Sequence, residues 1–216
     1  MNHLIKIFVK TILLSFNLFG QSNITIEFLT GVPYNAPLPL TINQNGEEQI
    51  SLIARYRSEP FVIPIYWHWR IGYWNGDSGW ELESTHHKIY LDNPPPEVQE
   101  FSISHGFNFV NINYAWKYND FILRAGAGFV LAHAESTIRN KKLPEDGGIG
   151  GGYYLRGPLL NFAINKHFEI IERIFLSFEL KATAAYSNVP VVDGDADVYV
   201  FALQANFGVG FIPVTF

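Results

Sequence analysis

The sequence predicts an all-β chain that closes as an eight-stranded antiparallel up-and-down transmembrane β-barrel. Three observations predict it. Apolar residues recur with a period of two, short and long connections alternate along the chain, and no segment beyond the N-terminus is apolar for long enough to span a membrane as a helix.

The period is clearest in four places. Ile24, Ile26 and Phe28 alternate with Thr25 and Glu27. Trp67, Trp69, Ile71 and Tyr73 alternate with His68, Arg70 and Gly72. Leu176, Phe178, Leu180 and Ala182 alternate with Ser177, Glu179, Lys181 and Thr183. Leu203, Ala205, Phe207 and Val209 alternate with Gln204, Asn206 and Gly208. One face of each strand is apolar and the other is small, polar or charged. Strands are expected at roughly 23–33, 60–74, 79–91, 99–116, 121–135, 153–167, 173–187 and 196–212. Asn75-Gly76-Asp77-Ser78 has the chemistry of a tight hairpin, and 117–120 and 168–172 are equally short. Between them fall longer links at 34–59, 92–98, 136–152 and 188–195. Short periplasmic turns and long extracellular loops alternate in this way in outer-membrane barrels. Whether 36–58 forms a plug, a surface hairpin or a strand extension stays open.

The chain has 216 residues, a formal net charge of −5, 16% aromatic and 16% charged residues, and no cysteine. One domain is implied. An acidic balance leaves no field for nucleic acid, and without cysteine there is no disulfide, thiolate metal site or lipidated cysteine. Residues 1–22 read as a signal peptide: Lys6 and Lys10 precede the apolar stretch Thr11–Phe19, and Gly20-Gln21-Ser22 offers a cleavage site. The barrel domain is then 23–216.

Eight strands enclose a narrow lumen that side chains just fill. They cannot enclose Trp67, Trp69, Phe178, Phe201, Phe207 and Phe211 together, so the aromatic face must look outward into lipid. Backbone groups in hydrocarbon must all be paired internally, which a closed barrel achieves. The inward face then carries Glu27, Arg70, Glu83, Arg124, Glu179 and Lys181, of both signs. Buried charges are costly unless paired, so these six are expected to form a lumen charge network that leaves no open pore. The 75–78 turn sets Arg70 opposite Glu83, and the 117–120 turn sets Asn113 opposite Arg124.

Gly210, Ile212, Val214 and Phe216 alternate up to a terminal aromatic residue. In this the chain resembles small outer-membrane β-barrel proteins, whose last strand commonly ends in Phe as an assembly signal. The resemblance implies a cell outer membrane location, lipid and lipopolysaccharide as neighbours, and the barrel assembly machinery as a partner through Phe216. A monomer is expected. Pro213 departs from the pattern, since proline cannot donate to a ladder, and should sit at a frayed end.

Phosphate-binding loops, HExxH and GxSxG are missing from the sequence, and neither cofactor nor metal is expected. Histidines supply the candidate chemistry. If His87 faces Ser104, then His86 faces His105 on the opposite side, and His133 lies near the same outer level. A His base near a Ser or carboxylate is what acyl transfer on outer-leaflet lipid needs. His86-His87-Lys88 followed by Glu100 has an incomplete similarity to the lipid A deacylases, eight-stranded barrels with a His-x-Ser and a downstream Glu. That similarity makes His86 the base and Glu100 its orienting acid, but Lys88 stands at the nucleophile position, leaving Ser104 as the local substitute. Interfacial hydrogen bonding is the competing role for these histidines. Asp193, Asp195 and Asp197 form an acidic loop with too few oxygens for Ca²⁺. His133 and Glu135 with Arg139, Lys141 and Lys142 offer a basic patch for lipopolysaccharide phosphates. The expected role is therefore structural or surface-interacting, through 34–59 and 136–152. The alternative is an acyl hydrolase or transferase using His86 and His105 with Ser104.

Overall fold

Residues 22–144 and 147–216 are described by the computed structural model; the expected leader lies outside the described residues except for Ser22. Among these residues thirteen strands form one sheet: β1 (Ser22–Asn35), β2 (Leu38–Gln44), β3 (Ile50–Ala54), β4 (Tyr56–Arg57), β5 (Trp67–Asn75), β6 (Ser78–Leu91), β7 (Val98–Tyr118), β8 (Phe121–His133), β9 (Glu135–Ile138), β10 (Lys141–Lys142), β11 (Tyr153–Ile171), β12 (Ile174–Val191) and β13 (Gly194–Thr215). Eight of them close an antiparallel ring in the order β1, β5, β6, β7, β8, β11, β12, β13 and back to β1.

Outward residues of the lower ring are apolar and open: Phe28 is 57% exposed, Phe162 58% and Leu180 63%. The Trp67 and Ile71 row faces outward, as the alternation requires, while His68 and Arg70 are buried. Inside, the lumen is layered. Trp74, Ala115 and Ile122 form a small apolar plug at the short-turn end. The ionic residues come next. Toward the long-loop end the interior turns apolar, with Leu40, Ile42, Ile89, Ile103, Phe107, Phe109, Val130 and Val198 in one buried cluster.

That last layer departs from a uniformly inside-out barrel. Beyond the lipid belt the strands continue into water, where the polarity rule reverts to apolar inside. The links expected to be loops build this extension. β2 continues the line of β1 along β13, β3 returns against β2, and β4 pairs with β6, so 36–58 is a strand extension with its own hairpin. β9 pairs with β7 beyond the end of β8, and β9 with β10 form a hairpin whose turn residues, Arg139 and Asn140, both take positive φ. The link expected over 188–195 is instead a tight turn, with β12 and β13 paired up to Val191–Gly194. β12 leaves β11 after Ala185, so Pro190 faces an edge with no ladder to break.

Other boundaries move for local reasons. The second ring strand starts at Trp67 rather than 60, because Pro60 and Pro64 cannot donate to a ladder. Across 117–120 the strands run on to a Tyr118–Phe121 pair, so Asn113 faces Gly126 and Arg124 faces Ala115. This shift of two residues keeps every side chain on its expected face. Pro213 lies in a bulge rather than at a frayed end, since Ile24 pairs with Val214 and Ile26 with Phe211. Beyond it Ser22 and Phe216 bond backbone to backbone in both directions.

Candidate functional site

The lumen network has four carboxylates, Glu27, Glu81, Glu83 and Glu179, facing three cations, Arg70, Arg124 and Lys181, all buried. Arg70 bonds Glu83 at 2.7 Å and Glu179 at 2.5 Å, and lies 3.3 Å from Glu27. Arg124 lies 2.7 Å from Glu81 and 3.1 Å from Glu27. Lys181 reaches Glu83 at 2.6 Å and Glu179 at 3.3 Å. Asn113 and Ser177 donate further hydrogen bonds to Glu83 and Glu27. All six residues singled out in the sequence meet here, and Arg70 does stand opposite Glu83. Glu81 and His68 belong to the network too. Their inward parity on β6 and β5 was a signal the alternation already contained.

A second polar group lies on the outside wall, at the junction of β7 with β8 and β9. On β7 the ladder to β6 skips: His87 pairs with Phe107 and Ile89 with Ile103, leaving Ser104, His105 and Gly106 opposite Lys88 alone. Gly106 has φ 141°, a conformation that L side chains rarely adopt. This bulge turns His105 out to solvent at 57% side-chain exposure. Glu135, the first residue of β9, receives hydrogen bonds from Ser104 and, at 3.2 Å, from Ser102 on one carboxylate oxygen. Its other oxygen lies 2.7 Å from His105 Nδ1. Burial alone would raise the Glu135 carboxyl, but the Ser104 hydroxyl and the His105 ring hold it below the ordinary range. The His133 ring centre sits 5.1 Å from that of His105, with Tyr153 edge-on at 5.0 Å. Tyr153 also donates to the His105 carbonyl at 2.8 Å.

No protein-family model and no curated protein matches the sequence. Among solved structures, outer membrane protein AlkL in lipid bilayers is similar at 12% identity and TM-score 0.50, over 90% of this chain and 91% of that one. The attachment invasion locus protein Ail of Yersinia pestis matches at 13% identity and TM-score 0.39, covering 90% of this chain and all of that one. Neisserial surface protein A matches at 10% and 0.42, over 89% and 98%. The fold is that of a small outer-membrane barrel. A closed ring with an apolar, aromatic exterior and that fold make this a protein of the outer membrane.

Of the candidate catalytic residues, the barrel wall gathers Ser104, His105 and His133, and adds Glu135. His86 does not face His105: the bulge sets it opposite Asn108, to which its Nδ1 bonds at 2.8 Å, and it stacks on Trp67. His87 does not face Ser104 either. It points inward, bonded to Asn35 at 2.9 Å and stacked on Phe109. Glu100 is exposed and paired with Thr137. Glu135, considered in the sequence only beside the basic patch, takes the orienting position instead, because β9 returns along β7 and brings it beside Ser104. The basic patch is tied up by acceptors. Arg139 bonds Gln44 and the Glu48 carbonyl at 2.6 and 2.7 Å, and Lys141 bonds Asp193 at 3.1 Å. Asp195 and Asp197 accept from Asn188, and Asp197 also from Tyr186 at 2.6 Å.

Proposed function

We propose that this is a sealed, monomeric outer-membrane barrel, exported by its N-terminal leader, that acts through the surface it raises outside the membrane. The observation that carries the reading is the fully occupied interior. An apolar plug, an ionic layer and an apolar core follow one another along the axis, with Arg70, Leu40, Ile42 and Ile103 all at 0% exposure. Water-filled conduction needs a continuous polar path, and the buried apolar layer interrupts it. Lipopolysaccharide surrounds the belt in this reading, and Phe216, 63% exposed beside Ser22, serves as the assembly signal. Planar-bilayer recording tests it: the purified protein is expected to be silent, and stepwise conductance would end the reading.

The Ser104–Glu135–His105 group favours a second reading, an acyl hydrolase or transferase acting on outer-leaflet lipid. One feature weighs against it. His105 presents the same Nδ1 to Glu135 and, at 3.5 Å, to Ser104, whereas a nucleophile–base–acid relay uses opposite ring nitrogens. Mass spectrometry of lipid A from cells with and without the gene separates the two, and an unchanged acyl pattern removes the enzyme.

A further inference from the structure

We propose that His105, His133 and Glu135 form a binding site for a divalent transition metal ion of the zinc class, on the outer wall above the lipid belt. One ring nitrogen from each histidine and one carboxylate oxygen lie within 4.8 Å of one another. In a tetrahedral shell with bonds of about 2.0–2.2 Å, neighbouring ligand atoms stand roughly 3.4 Å apart, so small rotations of the side chains reach it. Two imidazoles and a carboxylate are the ligand set that suits such an ion and leaves a fourth position free.

The surroundings are arranged as a ligand shell needs. Ser102 and Ser104 both donate to one oxygen of Glu135, which fixes the carboxylate plane and leaves the other oxygen toward His105. Tyr153 holds the His105 backbone and packs edge-on against His133. His133 is buried at 8% exposure, and its Nδ1 has no hydrogen-bond partner. A buried imidazole nitrogen left unpaired is a cost that a bound ion would relieve. The three ligands come from strands β7, β8 and β9, and the bulge at Gly106 delivers the one that reaches solvent.

A second trio, His68, Glu83 and Glu179, is equally close but differs in chemistry. Arg70 and Lys181 already bond both of its carboxylates inside the sealed lumen. An ion there would have to displace two buried cations. In the outer trio the Glu135 carboxylate is held by two serine hydroxyls and His105, and the site is open on the His105 side.

The proposal is independent of the sealed-barrel reading and of lipid chemistry, because its test reads metal alone. Untagged, folded protein in detergent micelles is titrated with Zn²⁺ by calorimetry, with folding of every sample checked by its heat-dependent gel shift. One equivalent is expected to bind to the wild type. His105→Ala, a change at an exposed side chain, and Glu135→Gln should each weaken binding at least tenfold. The Ser102→Ala/Ser104→Ala double variant should weaken it by about tenfold, because the two hydroxyls that orient the Glu135 carboxylate are lost. His86→Ala should bind as the wild type does. Folded wild type that takes up no stoichiometric Zn²⁺ overturns the site, as does undiminished binding by His105→Ala or Glu135→Gln.

Discussion

Lys181 on β12 places its ammonium 2.6 Å from Glu83 on β6, the strand diametrically opposite, four places away in either direction round the ring. Arg124 on β8 and Glu27 on β1 are opposed in the same way, at 3.1 Å. The ionic layer therefore braces the ring across its diameter, where the ladders join only neighbours.

Removing one member should be worse than removing a pair. Lys181→Met leaves the buried Glu83 and Glu179 short of a partner, and stability should fall by about 3–5 kcal/mol. Adding Glu83→Gln should restore part of that loss. Urea unfolding in lipid vesicles, followed by tryptophan fluorescence, measures both.

The reversal of polarity along the strands predicts that one substitution has two costs. Leu180→Arg puts a cation on the lipid face and should cost roughly 2–4 kcal/mol. Ser51→Arg, at an exposed position of the extension, should stay within about 0.5 kcal/mol of wild type. The same unfolding assay compares them, and equal costs would contradict the placement of the belt.

Gly106→Ala tests the bulge. At φ 141° an added Cβ is strained and would run into the Asn108 side chain, which holds His86. A loss of about 1–3 kcal/mol is expected. Chemical shifts of the His86 ring should move with it.

Ile42→Asn should melt the extension without opening the membrane ring. Ile42 is fully buried in the apolar cluster above the ionic layer, so the change leaves an unsatisfied amide there. The heat-dependent gel shift should persist while segment 36–58 becomes cleavable by added protease.

The ring was legible in the sequence because lipid enforces one rule on every strand: outward residues apolar, inward ones small or paired. Asn75-Gly76-Asp77-Ser78 fixed the Arg70–Glu83 register, since a two-residue turn leaves no slack. Lys117 and Tyr118 read as loop because they are polar or interfacial, yet they extend their strands at the membrane edge. The extension was hidden for a related reason. Leu40, Ile42, Val189 and Val191 alternate as well as any ring residue, but Asn, Asp and Pro around them carry loop chemistry. The candidate outer site was harder still. It depends on a bulge that a single glycine marks weakly, and on β9 folding back beside Ser104, which no local pattern announces.

The switch in polarity at mid-strand also sets how deep the molecule rides. If it sank, the polar His105–Glu135 pair at the base of the extension would be drawn toward hydrocarbon; if it rose, the exposed rings of Trp80 and Tyr118 near the short turns would be lifted toward it. Either displacement is penalised on all sides of the cylinder at once. The barrel is thus moored at a fixed height, and whatever its outer rim meets, it meets at a constant distance from the bilayer.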